Sequence, residues 1–204
     1  PSMFSPVINE SIIKIKNNVI TINQGGIHNI YNVLCAYAIS SVCNIPDYII
    51  IDSIKTFSNV FGRQENFKIK NNDITMFLVK NPAGFNETLN TINLNKQNEF
   101  YLGFLLNDNF ADGQDISWIY DVNIEMINDF KLKEVFTGGT RTHDMGLRLN
   151  LGEVKNINIF EKYEEILDYL ENKENETVYI LCSYTCMLEF RRFLYSKKYI
   201  DSIW

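Results

Sequence analysis

Neither G-x-x-x-x-G-K-[ST] nor G-x-G-x-x-G occurs in this 204-residue chain. A complete phosphate-loop enzyme or a dinucleotide-binding unit of those classes is therefore not encoded in it. Cysteine is sparse. Cys35, Cys43, Cys182 and Cys186 form no C-x-x-C pair, which removes a zinc ribbon and a thioredoxin motif. Buried free thiols in a cytoplasmic protein are the expectation. There is no basic stripe and the formal net charge is -6, so nucleic acid is not an expected partner. No apolar run reaches the roughly 18 residues of a membrane helix. No leader-like segment is visible. Repeats and low-complexity tracts are missing too. The chain opens on Pro1 rather than Met, which predicts a trimmed fragment of a longer protein.

What is present is a core. The chain is 46% hydrophobic with 14 Phe and 11 Tyr, well away from disorder. Strand-like runs fall at 66–70, 74–79, 100–106, 134–137, 156–160 and 178–182. Helix-like runs fall at 84–92, 116–127, 141–151, 161–171 and 185–195. Strands that alternate with helices predict an α/β fold, a Rossmann-like, mostly parallel sheet with helices on both faces. Asn71-Asn72 is expected to turn the first pair into an antiparallel edge. The first sixty residues read differently. A hairpin is expected at Asn17-Asn18. A helix after Gly25-Gly26 is expected to bury Ile27, Ile30, Tyr31, Leu34 and Ala38, and a second helix runs from about Pro46 to Phe57. The division expected is 1–59, the tail of a preceding domain, and 60–204, an α/β domain.

Several polar positions carry candidate chemistry. Asn29 and Asn32 stand three apart on one helical face beside His28. Their amides could read an adenine edge or simply brace the helix start. Arg63 follows Gly62 just before a strand and could meet phosphate or form a surface ion pair. Lys80 and Asn81 open a loop-to-helix turn, Lys-Asn-Pro-Ala-Gly-Phe-Asn, whose amides suit anionic or ribose groups. Asn81 could equally be a plain turn residue. In Thr-Gly-Gly-Thr-Arg-Thr-His-Asp (137–144), Thr140 or Thr142 could cap a helix, and no motif supports pairing His143 with Cys186. The segment 107–121 carries Asp108, Asp112, Asp115 and Asp121 near Trp118, more carboxylates than solubility requires. No metal site is read from them.

Together these residues resemble the Mur ligase family. His-Asn-x-x-Asn (28–32), with Ala36 and Ala38, is similar to the end of a Mur ligase central domain, and Gly-Arg-x-Glu (62–65) to the entry of its C-terminal domain. The turn 80–86 and Asn-Asp-Asn-x-Ala-Asp-Gly-x-Asp-x-Ser-Trp-Ile-Tyr-Asp (107–121) are more specific. So are the Thr137–Arg141 turn with Met145, Leu147 and Arg148-Leu149, and Tyr184-Thr185 with Met187-Leu188. They resemble MurT-type subunits of lipid II isoglutaminyl synthase over nearly the whole chain.

The resemblance implies an ATP- and Mg-dependent ligase subunit that activates the α-carboxylate of the stem-peptide D-glutamate as an acyl phosphate. A GatD-like class I glutamine amidotransferase would deliver ammonia, giving D-isoglutamine in lipid II at the membrane surface. It implies that Asp115 completes the partner's Cys-His dyad, and that Asn29, Asn32, Arg63, Lys80 and Asn81 lie on the nucleotide side. Asp115 read by itself could instead cap a helix beginning at Ile116. The family's phosphate-loop region and cysteine-rich insert are missing, which implies a C-terminal domain with the last part of the central one, without tightly bound nucleotide. A non-catalytic module that recruits a glutamine amidotransferase and a stand-alone nucleotide-binding domain stay open as alternatives.

Overall fold

The computed structural model describes residues 4–6, 10–23, 25–57, 63–95 and 97–201. They form two compact units, Pro1–Val60 with Glu87–Asn95, and Phe61–Asn86 with Lys96–Trp204. The expected boundary at 59/60 falls outside the described residues.

The first unit contains the antiparallel strands β1 (Phe4–Pro6), β2 (Ser11–Ile15) and β3 (Asn18–Ile22), then helices α1 (Ile27–Val42) and α2 (Asp47–Thr56). Ile13, Ile20, Ile22 and Ile30 make its small core, with Val33, Leu34, Ile51 and Ile54 packed against them. The buried stripe of α1 is rotated from the expected one. Ile30 and Tyr37 are buried, whereas Ile27, Tyr31 and Ala38 are exposed. Apolar residues lie on nearly every side of this helix, so spacing alone did not single out the inward face.

The second unit begins with β4 (Arg63–Ile69) and β5 (Asn72–Leu78), followed by α3 (Pro82–Asn93), which runs into the segment that clusters with the first unit. It continues with β6 (Phe100–Leu105), β7 (Leu132–Gly138), α4 (Thr142–Leu151), β8 (Ile157–Ile159), α5 (Tyr163–Glu171), β9 (Thr177–Cys182) and α6 (Tyr184–Ser196). The sheet order is β4-β5-β9-β6-β7-β8. Every pairing is parallel except β4 with β5. This is the expected mostly parallel α/β sheet with one antiparallel edge.

The central strands β6 and β9 are buried on both faces, which is why they read as continuous apolar runs. Ile166, Leu167 and Leu170 of α5 and Met187, Phe190 and Leu194 of α6 join one core cluster with Tyr101, Leu105 and Ile180. On the opposite face Phe85 stacks on Phe104 with centroids 5.6 Å apart, and Phe130 lies 6.0 Å from Phe100. Gly103 sits mid-strand because the Phe136 ring lies across it. A Cβ there would be 2.2 Å from Phe136 Cζ.

Three expectations are corrected. Both hairpin turns fall one residue earlier than expected. Ile15 pairs with Asn18 and Ile69 with Asn72, so the loops are Lys16-Asn17 and Lys70-Asn71. Asn72 has another task. Fully buried, it donates to the carbonyls of Ile69, Leu170 and Lys173 and accepts the Glu176 amide at 2.9 Å. The helix expected at 116–127 is two 3-10 turns, Ser117–Asp121 and Ile124–Asp129. The buried side chains Ile119 and Val122, then Ile124, Ile127 and Phe130, recur every three residues, which matches three residues per turn. Finally, Cys182 and Cys186 are buried as expected, but Cys35 and Cys43 are exposed on and just after α1.

Arg148 of α4 holds the 3-10 segment in place. It is buried, and its guanidinium donates to the carbonyls of Ile119 (3.1 Å) and Val122 (2.7 Å) and to the Glu125 carboxylate (3.0 Å). Arg148→Met keeps the aliphatic stem but removes three hydrogen bonds, leaving the carbonyls of Ile119 and Val122 with one backbone donor each, and should cost about 2 kcal/mol in urea unfolding. A loss under about 0.5 kcal/mol, the size of an ordinary surface change, would show that the turns stand without it.

The cysteines give a second test. Burial pushes the Cys186 thiol up to about 12, and burial also raises Cys182. The thiolate is the reactive form. Iodoacetamide at pH 7.5 should label Cys35 and Cys43 of the native chain within minutes and leave Cys182 and Cys186 intact until denaturant is added. Fast labelling of all four by mass spectrometry would contradict this packing.

Candidate functional site

The loops at the carboxyl ends of β6, β7 and β9 meet. In an open α/β sheet this is the edge at which ligands bind. Their meeting point is Asn107, two residues beyond β6 and buried. Its backbone N–H donates to Ser183 Oγ at 2.9 Å, just after β9. Its side-chain Nδ2 donates to Thr185 Oγ1 and to Glu189 Oε2, each at 3.0 Å. Its Oδ1 accepts the Thr140 N–H at 2.9 Å, from the loop after β7. One amide thus ties three strand ends together with its polar atoms satisfied.

Thr-Gly-Gly-Thr is shaped by this approach. Gly139 has φ +88°, and a Cβ there would lie 2.4 Å from Leu106 O and 2.8 Å from Asn107 Oδ1. Only glycine meets both demands. Thr140 and Thr142 do not cap α4. Thr140 serves Asn107 and donates its hydroxyl to Asp108 at 3.1 Å, while Thr142 is buried and hydrogen-bonds Thr137 at 2.7 Å. His143 is exposed beside Glu161 at 3.2 Å, and Cys186 hydrogen-bonds the Tyr163 hydroxyl. Histidine and cysteine therefore serve separate contacts.

The aspartates of the loop have different environments. Asp108 pairs with Arg141 at 2.6 Å, and that guanidinium holds its carboxyl below the usual range. Asp112 accepts the Thr185 N–H at 2.8 Å and the Thr185 hydroxyl at 2.5 Å. Asp115 is exposed. Its Oδ1 accepts the Ser117 N–H at 2.8 Å, and donation from Ser117 keeps the carboxyl below the usual carboxylate range. Asp115 thus lies one residue before the N-cap, Ile116, and holds the first amide of the 3-10 turn while standing ionised at the surface. Trp118 follows, edge-on to Phe85 with centroids 6.1 Å apart. Among the described residues no group of three or more His, Cys, Asp or Glu side chains could hold a metal ion.

The other candidates divide between the two units. In the first, Asn29 donates its amide to Gly25 O at 2.8 Å, bracing the start of α1, and Asn32 is exposed one turn on. In the second, Lys80 is exposed after β5, and Asn81 Oδ1 accepts the Gly84 N–H at 2.8 Å, capping α3. The backbone of Arg63 pairs with Phe77, so it too lies at the carboxyl end of β5; its side chain lies outside the described residues. The sheet therefore brings Arg63, Lys80, Asn81 and Asp115 to one edge. Sequence reasoning treated Asn107 and Thr185 only as members of motifs and passed over Glu189 entirely. A buried asparagine directly after an apolar strand was the available signal.

Comparison with known proteins agrees with this fold and these motifs. The MurT ligase C-terminal family matches residues 78–187. The MurT subunit of the glutamine-hydrolysing lipid II isoglutaminyl synthase of Streptococcus pneumoniae is 38% identical over 181 residues, covering 88% of this chain and 40% of that protein. Its Staphylococcus aureus (strain COL) counterpart is 35% identical over 130 residues, covering 64% of this chain and 30% of that one. The chain thus spans well under half the length of these curated relatives. Among solved structures, UDP-N-acetylmuramate-alanine ligase MurC from Thermotoga maritima superposes with TM-score 0.69 at 15% identity, covering 96% of this chain and 45% of that one, a likeness of fold. The chain belongs to the MurT ligase C-terminal family.

Proposed function

We propose that this chain is the C-terminal part of the ligase subunit of a lipid II isoglutaminyl synthase. With a GatD-like glutaminase subunit, the whole protein amidates the D-glutamate of lipid II at the cytoplasmic membrane surface. The observation that carries this reading is the family match, joined to 38% identity over 181 residues with a relative that is itself named as a subunit. Among the described residues no helix is long and apolar enough to cross a membrane.

Residues 1–59 are read as the tail of the central domain. Support comes from α1 and α2, which leave Ile27, Tyr31, Ile39, Val42, Tyr48 and Ile49 exposed, apolar side chains that a neighbouring domain could cover.

ATP with Mg supplies the phosphoryl group that activates the substrate carboxylate. Asn32 and Lys80 fit the nucleotide side, since both side chains are exposed. Asn29 keeps its carbonyl oxygen for a base while its nitrogen braces Gly25. Asn81 fits less directly, because its oxygen already caps α3. Its part is to hold the helix start beside which Lys80 stands. Arg63 completes the set as a phosphate contact. None of these groups cradles the β- and γ-phosphates, a task for the phosphate loop that the chain lacks. The isolated chain should therefore show no micromolar ATP affinity by calorimetry. A micromolar dissociation constant would favour a stand-alone nucleotide-binding domain.

Asp115 is assigned to the partner's Cys-His dyad. An ionised carboxylate on an imidazole fixes its tautomer and stabilises the imidazolium. Exposure and a depressed pKa both suit that task. In the reconstituted complex of full-length subunits, Asp115→Asn should lower glutamine hydrolysis by up to about 10⁴-fold while the subunits still assemble. Hydrolysis near the parent rate would leave Asp115 as a brace for the 3-10 turn and nothing more.

A further inference from the structure

We propose that Thr185, at the start of α6, is a positioning residue for Asp115: its hydroxyl and backbone amide fix the loop that aims the carboxylate at the partner subunit. The inference rests on the reading of Asp115 just given and adds to it the group that sets the geometry.

The Thr185 hydroxyl uses its full bonding capacity. A hydroxyl has one donor and two acceptor lone pairs. Thr185 Oγ1 donates to Asp112 Oδ2 at 2.5 Å and accepts from Asn107 Nδ2 at 3.0 Å and Asn109 Nδ2 at 2.9 Å. The Thr185 N–H adds a bond to Asp112 Oδ1 at 2.8 Å, so the carboxylate is gripped at both oxygens. Three separate loop positions, 107, 109 and 112, converge on one side chain.

The start of the loop is also held by Asp108 on Arg141 and by Asn107 and Asn109 on Glu189, but beyond Asn109 Thr185 is the tertiary anchor. Asn109, Phe110, Ala111, Gly113, Gln114 and Asp115 are exposed, and Phe110 is 93% so. Apolar packing, which sets position elsewhere in the sheet, does not set it here. Asp115 follows the Asp112 anchor by three residues, across Gly113 at φ +93°. Beyond it the Ser117 amide holds its Oδ1. The carboxylate is therefore strung between two hydrogen-bonded points, and the first of them is Thr185. The rigid base of that point is α6, whose Cys186, Met187 and Phe190 are buried in the main core.

A displacement of about 1 Å at a reacting group can cost on the order of 100-fold in rate. Thr185→Val replaces the hydroxyl by a methyl of nearly equal size, and Thr185→Ser keeps the hydroxyl. In the complex of full-length subunits, Thr185→Val should lower kcat for glutamine hydrolysis about 100-fold. The KM for glutamine and the subunit dissociation constant should stay near the parent values. Thr185→Ser should restore kcat. Asp112→Ala, which cuts the same anchor from the other side, should repeat the loss, and it decides the matter if Thr185→Val fails to fold. Parent-level hydrolysis by either cut variant, failure of serine to rescue, or a loss that merely tracks weaker assembly would overturn the proposal. Asp115→Asn run in parallel separates the two ideas. If it hydrolyses normally, the role of Asp115 fails. If it is inactive while Thr185→Val is normal, only the positioning role of Thr185 fails.

Discussion

The side chain of Asn107 is the constraint from which the carboxyl edge of the sheet takes its form. A buried amide left without partners would cost roughly 1–3 kcal/mol. Here its nitrogen and oxygen reach the loops after β7 and β9 while its backbone N–H reaches Ser183. The loop after β7 must then pass so close to Leu106 and Asn107 that position 139 accepts only glycine. The start of α6 is drawn in as well, through Thr185 and Glu189. Glu189 also accepts the Tyr163 hydroxyl at 2.9 Å, which extends the tie to α5. Parallel strands end at the same edge by topology, and this network makes the edge a surface with defined shape.

On that surface the aspartates divide the work. Asp108 is neutralised by Arg141 and Asp112 is spent on Thr185, so both serve the architecture. Asp115 alone of the three stands exposed with its carboxyl held ionised by an amide and a hydroxyl of its own turn. Behind it the 3-10 segment is rigid for a different reason. Arg148 saturates two of its carbonyls, and Phe85 and Phe104 form an aromatic floor beneath Trp118. Hydrogen bonds thus set the outer loop, and buried hydrogen bonds together with aromatic packing set the inner one.

Much of this fold was legible in the residues. The central strands are apolar throughout because both faces are buried, and the hairpin edge follows from its short polar turn. The Asp-rich motif drew attention to the loop after β6 before any geometry was known. What misled was local. Asparagine is a good turn residue, yet Asn72 is held inside by four backbone partners, so the turn moved to Lys70-Asn71. The 116–127 stretch has the apolar content of a helix, but its period of three belongs to 3-10 turns.

The sequence by itself determined the alternation of strands and helices, the parallel sheet and the family, because periodicity and motif spacing are local properties written along the chain. It also determined which carboxylates crowd the loop after β6. Only the tertiary structure decided which of them are tied to distant partners. Asp108 and Asp112 are indistinguishable from Asp115 in a list of residues. Their partners, Arg141 and Thr185, lie 33 and 73 residues away, and folding alone brings them within hydrogen-bonding distance.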